Sequence, residues 1–75
     1  MLVDQLRKAA HAAESYSDGP QRISIFFEAD GFLVRGQNLD KDLRYEVTVT
    51  WKQLETSSNA ILLAVEEVAL ILDTN

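Results

Sequence analysis

From Leu2 to Tyr16 apolar side chains recur at helical spacing: Leu2, Leu6, Ala9, Ala13 and Tyr16 share one stripe, with Val3 and Ala10 beside it. Asp4, Arg7, Lys8, His11 and Glu14 take the other side, where Asp4 and Lys8 form an i,i+4 pair in the favourable orientation. The pattern predicts a helix over 2–16. Its stop signal is Ser17, Asp18, Gly19 and Pro20, a left-handed cap residue followed by a proline.

The period then changes. Arg22 to Glu28 and Phe32 to Gln37 read as two strands around Asp30-Gly31, a pair suited to the centre of a tight hairpin. That placement sets Ala29 opposite Phe32, Phe27 opposite Val34 and Ile25 opposite Gly36 on one face. The other face then carries Phe26 opposite Arg35, Ser24 opposite Gln37 and Glu28 opposite Leu33. A one-residue slip would set apolar residues against polar ones, so pattern and turn agree on this register.

A third strand, Leu43 to Trp51, alternates cleanly, with Leu43, Tyr45, Val47, Val49 and Trp51 on one side. A loop over 39–42 sets Gly36 against Tyr45, Val34 against Val47 and Phe32 against Val49. The glycine then leaves room for the tyrosine ring. On the opposite face Arg35 falls between Phe26 and Glu46, stacking on one and pairing with the other. Thr50 and Gln53 have capping-box spacing, which predicts a short helical turn over 51–55. Thr56, Ser57, Ser58 and Asn59 then form a break or the N-cap of a last helix, from Ala60 to about Leu72. At 100° per residue its core face is Ile61, Leu62, Val65, Val68, Ala69 and Leu72. Leu63 and Leu70 lie on the far side, a heptad apart, flanked by Glu66 and Glu67.

The element order is therefore α-β-β-β-α. An antiparallel meander with its middle strand second, one apolar face and two amphipathic helices implies an α+β two-layer sandwich with both helices on one face. This order is similar to that of double-stranded-RNA-binding domains, a likeness of element order alone. Such domains grip phosphates with lysines at the start of the last helix, where this chain has Thr56, Ser57, Ser58, Asn59 and Ala60.

Length and charge narrow the function. Seventy-five residues imply a single domain, 1–75, which buries only about 60% of its unfolded surface, so reinforcement matters. Cysteine is absent, which excludes disulfides and thiolate metal sites and fits a reducing cytoplasm. Twelve acidic against seven basic residues give −5, a sign that makes nucleic acid and anionic membranes poor partners. From Gln53 to Asn75 there is no Lys or Arg, only Glu55, Glu66, Glu67 and Asp73. No targeting segment stands out, and the apolar last helix falls well short of the roughly 20 residues that span a bilayer.

The chemistry-bearing residues have plain alternatives. Asn38, Asp40 and Asp42 have the spacing that opens a calcium loop, yet Leu43 stands where such a loop needs glycine and Val49 where it needs glutamate. No metal or cofactor site is expected. His11 lies on the polar helix side one turn from Arg7 and Glu14, where it reads as an exposed histidine between ion pairs rather than a general base held in a cleft. Ser57 and Ser58 read as helix caps rather than nucleophiles. No catalytic residue is expected, and the chain reads as non-enzymatic.

The feature least explained by an isolated chain is the pair Leu63 and Leu70. They are scattered surface leucines, or the first helix covers them, or they form a contact together with Glu66, Glu67 and Ile71. The edge of the first strand is a further place for a partner strand. The expectation is a small cytoplasmic, bacterial protein acting through protein–protein contact, with a homodimer as the first candidate. The rival is a nucleic-acid-associated module using Phe26, Arg35 and Arg44 on the open sheet face.

Overall fold

In the computed structural model, which describes residues 1–74, the elements are α1 (Leu2–Tyr16), β1 (Gln21–Glu28), β2 (Gly31–Asn38), β3 (Leu43–Thr50), α2 (Trp51–Thr56) and α3 (Ala60–Asp73). The three strands form one antiparallel sheet in the order β1-β2-β3, so β2 is the centre and both neighbours are edges. Helices α1 and α3 pack on one sheet face and on each other, giving the α+β architecture that the periodicities imply.

The β2–β3 register is the expected one: Phe32 opposes Val49, Val34 opposes Val47 and Gly36 opposes Tyr45. The β1–β2 register differs from expectation by two residues. Phe27 opposes Phe32, Ile25 opposes Val34 and Ile23 opposes Gly36, with Ala29 and Asp30 forming the turn between Glu28 and Gly31. A two-residue slip keeps every side chain on its face, so hydrophobic alternation cannot detect it. What fixes the turn lies far along the chain. The Trp51 backbone N–H donates to the Asp30 carbonyl at 3.1 Å, and its indole N–H donates to the Ala29 carbonyl at 2.8 Å. Neither turn residue has positive φ. Gly31 does, at +142°, as the first residue of β2, where a Cβ would run into the Val49 carbonyl and meet Thr50 Cα at 3.0 Å.

The core is built from α3. Ile61, Val65, Val68 and Leu72 are fully buried against Val34, each contributing about 1.5–3 kcal/mol of apolar transfer. Ala64 joins them, while Leu62 is half-buried. The space beside Gly36 belongs to α3 rather than to Tyr45: a Cβ there would overlap Val68 Cγ1 and come within 2.9 Å of Leu72 Cδ1. Asn38 adds a polar tie, its buried amide donating to the Leu72 carbonyl at 3.2 Å.

Helix α1 is rotated from the stripe that its apolar residues suggest. Gln5, Ala9 and Ala13 are buried, whereas Leu2, Val3, Ala10 and Tyr16 are exposed. The two alanines let α1 approach α3 closely, and that contact, more than the sheet, sets its buried line. Asp4 lies 3.9 Å from Arg7, an exposed i,i+3 ion pair where the sequence suggests Asp4 with Lys8. The helix stops where expected but not through a left-handed cap: its C-cap is Ser17 at φ −81°, and Gly19, at φ +58°, belongs to the turn closed by the Gln21 N–H on the Asp18 carbonyl. The Ser17 hydroxyl donates to the Ala13 carbonyl at 2.6 Å and accepts the Ile23 N–H at 3.0 Å, joining helix end to strand start.

Candidate interaction surface

Helix α2 starts where its capping box predicts. The Thr50 hydroxyl accepts the Gln53 N–H at 3.2 Å, and the Gln53 side chain accepts the Thr50 N–H at 2.7 Å. Ser57 caps the end of this helix and accepts the Asn59 N–H at 3.3 Å, so neither Ser57 nor Ser58 caps α3 as proposed. The chain thus turns sharply into α3, and Val68 and Leu72, seated over Gly36, fix which side of that helix faces out.

That side carries Leu63 and Leu70, 56% and 65% exposed. Helix α1 does not cover them. Their Cα atoms are about 10 Å apart along the axis. Glu66 and Glu67 between them are exposed, and Ile71 at the margin is half-buried. Glu67 accepts a hydrogen bond from the Tyr45 hydroxyl at 2.8 Å, which ties the helix to β3. That bond, then the carboxylate charge, then desolvation hold the Tyr45 phenol above its ordinary value.

The uncovered sheet face reads in four rows across the strands. Arg22, Gln37 and Arg44 make the first; Ser24, Arg35 and Glu46 the second; Phe26, Leu33 and Thr48 the third; Glu28, Gly31 and Thr50 the fourth. Arg35 holds the position that alternation assigns: its guanidinium lies 5.0 Å from the centre of the Phe26 ring and its Nε is 2.7 Å from Glu46. Phe26 is therefore diagonal to Arg35 rather than opposite it. Arg22 donates to the backbone carbonyls of Gly19 and Gln21, and among the described residues neither Arg22 nor Arg44 has a carboxylate partner.

The other candidates stay apart from any site. His11 is exposed on α1. In the 39–42 loop the Asn38 side-chain oxygen accepts the N–H groups of Asp40 and Lys41, which uses its acceptor capacity to shape the turn. Among the described residues no three His, Cys, Asp or Glu side chains converge on a point, and no helix is long and apolar enough to cross a membrane.

One surface escapes sequence reasoning. Alternation points Phe27 inward, yet it is 74% exposed near the end of the edge strand β1. Its ring packs edge-on against Trp51, and Phe32 completes a trio with centroids 5.5–5.8 Å apart. Trp51 also lines an open groove with Met1, Leu2, Gln5, Leu54 and Glu55. Periodicity reports which face a side chain is on, not whether that face is covered at its position. No protein-family model, curated protein or solved structure matches the chain.

Proposed function

We propose that this protein is a non-enzymatic interaction module that works through the outer face of α3, with a second copy of the chain as its first partner and a homodimer as the smallest assembly. The observation that carries this reading is the exposure of Leu63 and Leu70 on a helix otherwise seated in the core. A chain of this length gains by burying such a ridge, and paired leucines with glutamates at their flanks have the apolar centre and polar margin of a protein contact.

Use of the open face for single-stranded nucleic acid has less support. The Phe26 ring already stacks under Arg35, and Glu28 and Glu46 stand among the arginines. The aromatic corner favours a second docking point, since Phe27 is the most exposed aromatic of its cluster.

Sedimentation velocity over a concentration series tests the reading. The wild type should associate near neutral pH, and Leu63→Glu with Leu70→Glu should give a folded monomer with an unchanged helix signal. Phe27→Ser in the same series assigns the corner: it should leave association through α3 intact. A wild type that stays monomeric, with melting unaltered by the double change, refutes the ridge as an interface.

A further inference from the structure

One edge of the sheet is closed along part of its length and open along the rest. The Ser17 hydroxyl accepts the Ile23 N–H at 3.0 Å, and the Asp18 carbonyl accepts the Gln21 N–H at 3.0 Å. Backbone groups alternate in direction along a strand, so the odd-numbered residues of β1 point theirs away from β2. At the other end the Trp51 indole takes the Ala29 carbonyl at 2.8 Å. Ile25 and Phe27 remain between these closures, and among the described residues their backbone groups have no partner. The side chains of this open stretch, Ile25, Phe26 and Phe27, are uncharged and strand-forming. Phe26 is 42% exposed on the open sheet face, and Phe27 is largely exposed on the other. The far edge differs. There the same alternation turns the backbone of Arg44, Glu46 and Thr48 outward, and charged side chains on an edge strand oppose an added strand.

We propose that the open stretch of β1 pairs with the same stretch of a second copy, antiparallel about a twofold axis at Phe26, as a contact separate from the α3 ridge. Ile25 then stands opposite Phe27 of the second copy, and Phe27 opposite its Ile25. Each of these pairs exchanges both of its N–H···O bonds, so every open group on both copies is used. A pairing centred on Ile25 or on Phe27 leaves some of them unmet. The closures at Ile23 and Ala29 thus set the register as well as the length, and the stretch fits itself. Charge agrees with this register. Glu28 falls opposite Ser24 of the other copy and diagonal to its Arg22, within reach of long side chains. Neither Arg22 nor Glu28 has an ion-pair partner among the described residues. Phe26 meets Phe26 on one face and Phe27 meets Ile25 on the other, so one contact covers both exposed rings. The two three-stranded sheets become one continuous sheet. A few backbone bonds and a short apolar strip make less than a standard interface, so the contact forms at higher concentration than the ridge contact.

The chain has no cysteine, so cross-linking reads the register directly. In an antiparallel pair without mutual hydrogen bonds the Cα atoms lie about 4.5 Å apart, inside the range of a disulfide. The ridge is first blocked by Leu63→Glu with Leu70→Glu. In that chain, at high concentration under mild oxidant, Phe26→Cys should form a disulfide dimer on the order of tenfold faster than Ser24→Cys. Ser24 is exposed on the same face, but in this register it lies about 13 Å along the strand from its mate. Adding Phe27→Lys should slow Phe26→Cys to the Ser24→Cys rate with the helix signal unchanged. In the ridge-blocked chain without cysteine, amide exchange at Ile25 and Phe27 should slow as concentration rises, while exchange at Glu46 does not. That measurement decides the question even if a cysteine variant fails to fold. Equal rates for Ser24→Cys and Phe26→Cys, a Phe26→Cys rate indifferent to Phe27→Lys, or exchange at Ile25 and Phe27 indifferent to concentration overturns the inference. Each of these outcomes leaves the α3 reading standing. A wild type that stays monomeric in dilute sedimentation refutes the α3 reading without touching this one.

Discussion

Gly36→Ala tests the seating of α3, on which the outward position of the ridge depends. At 100° per residue Leu63 and Leu70 lie about 140–180° around the helix from Val68 and Leu72. If those two residues are pressed onto Gly36, the leucines must point to solvent. A methyl group at position 36 would overlap Val68 Cγ1 and stand 2.9 Å from Leu72 Cδ1, and both side chains are fully buried with no open side to yield toward. Overpacking of this kind costs about 1–3 kcal/mol. Loss of glycine from the unfolded chain offsets about 0.4–1 kcal/mol of that. The net expectation is destabilisation by about 1–2 kcal/mol, a fall in Tm of roughly 4–16 °C for a chain of this size.

A double-mutant cycle makes the magnitude specific. Val68→Ala alone removes buried methyl groups and should cost about 1.5–3 kcal/mol. In the Gly36→Ala background the new methyl occupies part of the vacated space, so the double variant should be more stable than the sum by more than about 1 kcal/mol. Urea denaturation with unchanged m-values would measure both terms. A neutral Gly36→Ala, or two strictly additive effects, would refute this packing and leave the direction of Leu63 and Leu70 without its structural reason.

Two further outcomes follow from single residues. Gly31→Val should destabilise by more than about 1 kcal/mol in urea, because φ is +142° and a Cβ would strike the Val49 carbonyl; an unchanged midpoint would sink the β1–β2 turn described here. The Tyr45 phenol is raised by its bond to Glu67, so the stability it contributes is present below about pH 10 and lost as pH rises through its native-state value. Wild type should lose more melting temperature between pH 9 and 11 than Tyr45→Phe does, and equal losses would mean that the bond is not maintained in solution.

The parts of the fold that sequence resolves are those fixed by near neighbours. Thr50 and Gln53 announce α2 because a capping box is complete within one turn. The β2–β3 register follows from alternation on both strands plus a short loop, and the Arg35 contacts follow from that register. The parts it misses are set from a distance. Ala29-Asp30 becomes the turn because Trp51, some twenty residues on, binds both carbonyls. Gln5 is inside and Leu2 outside because Ala9 and Ala13 draw α1 toward α3. At the candidate site, the outward direction of Leu63 and Leu70 was readable from angle alone, since the core face opposite them is fully apolar. Their freedom from α1 was not, because it depends on that rotation.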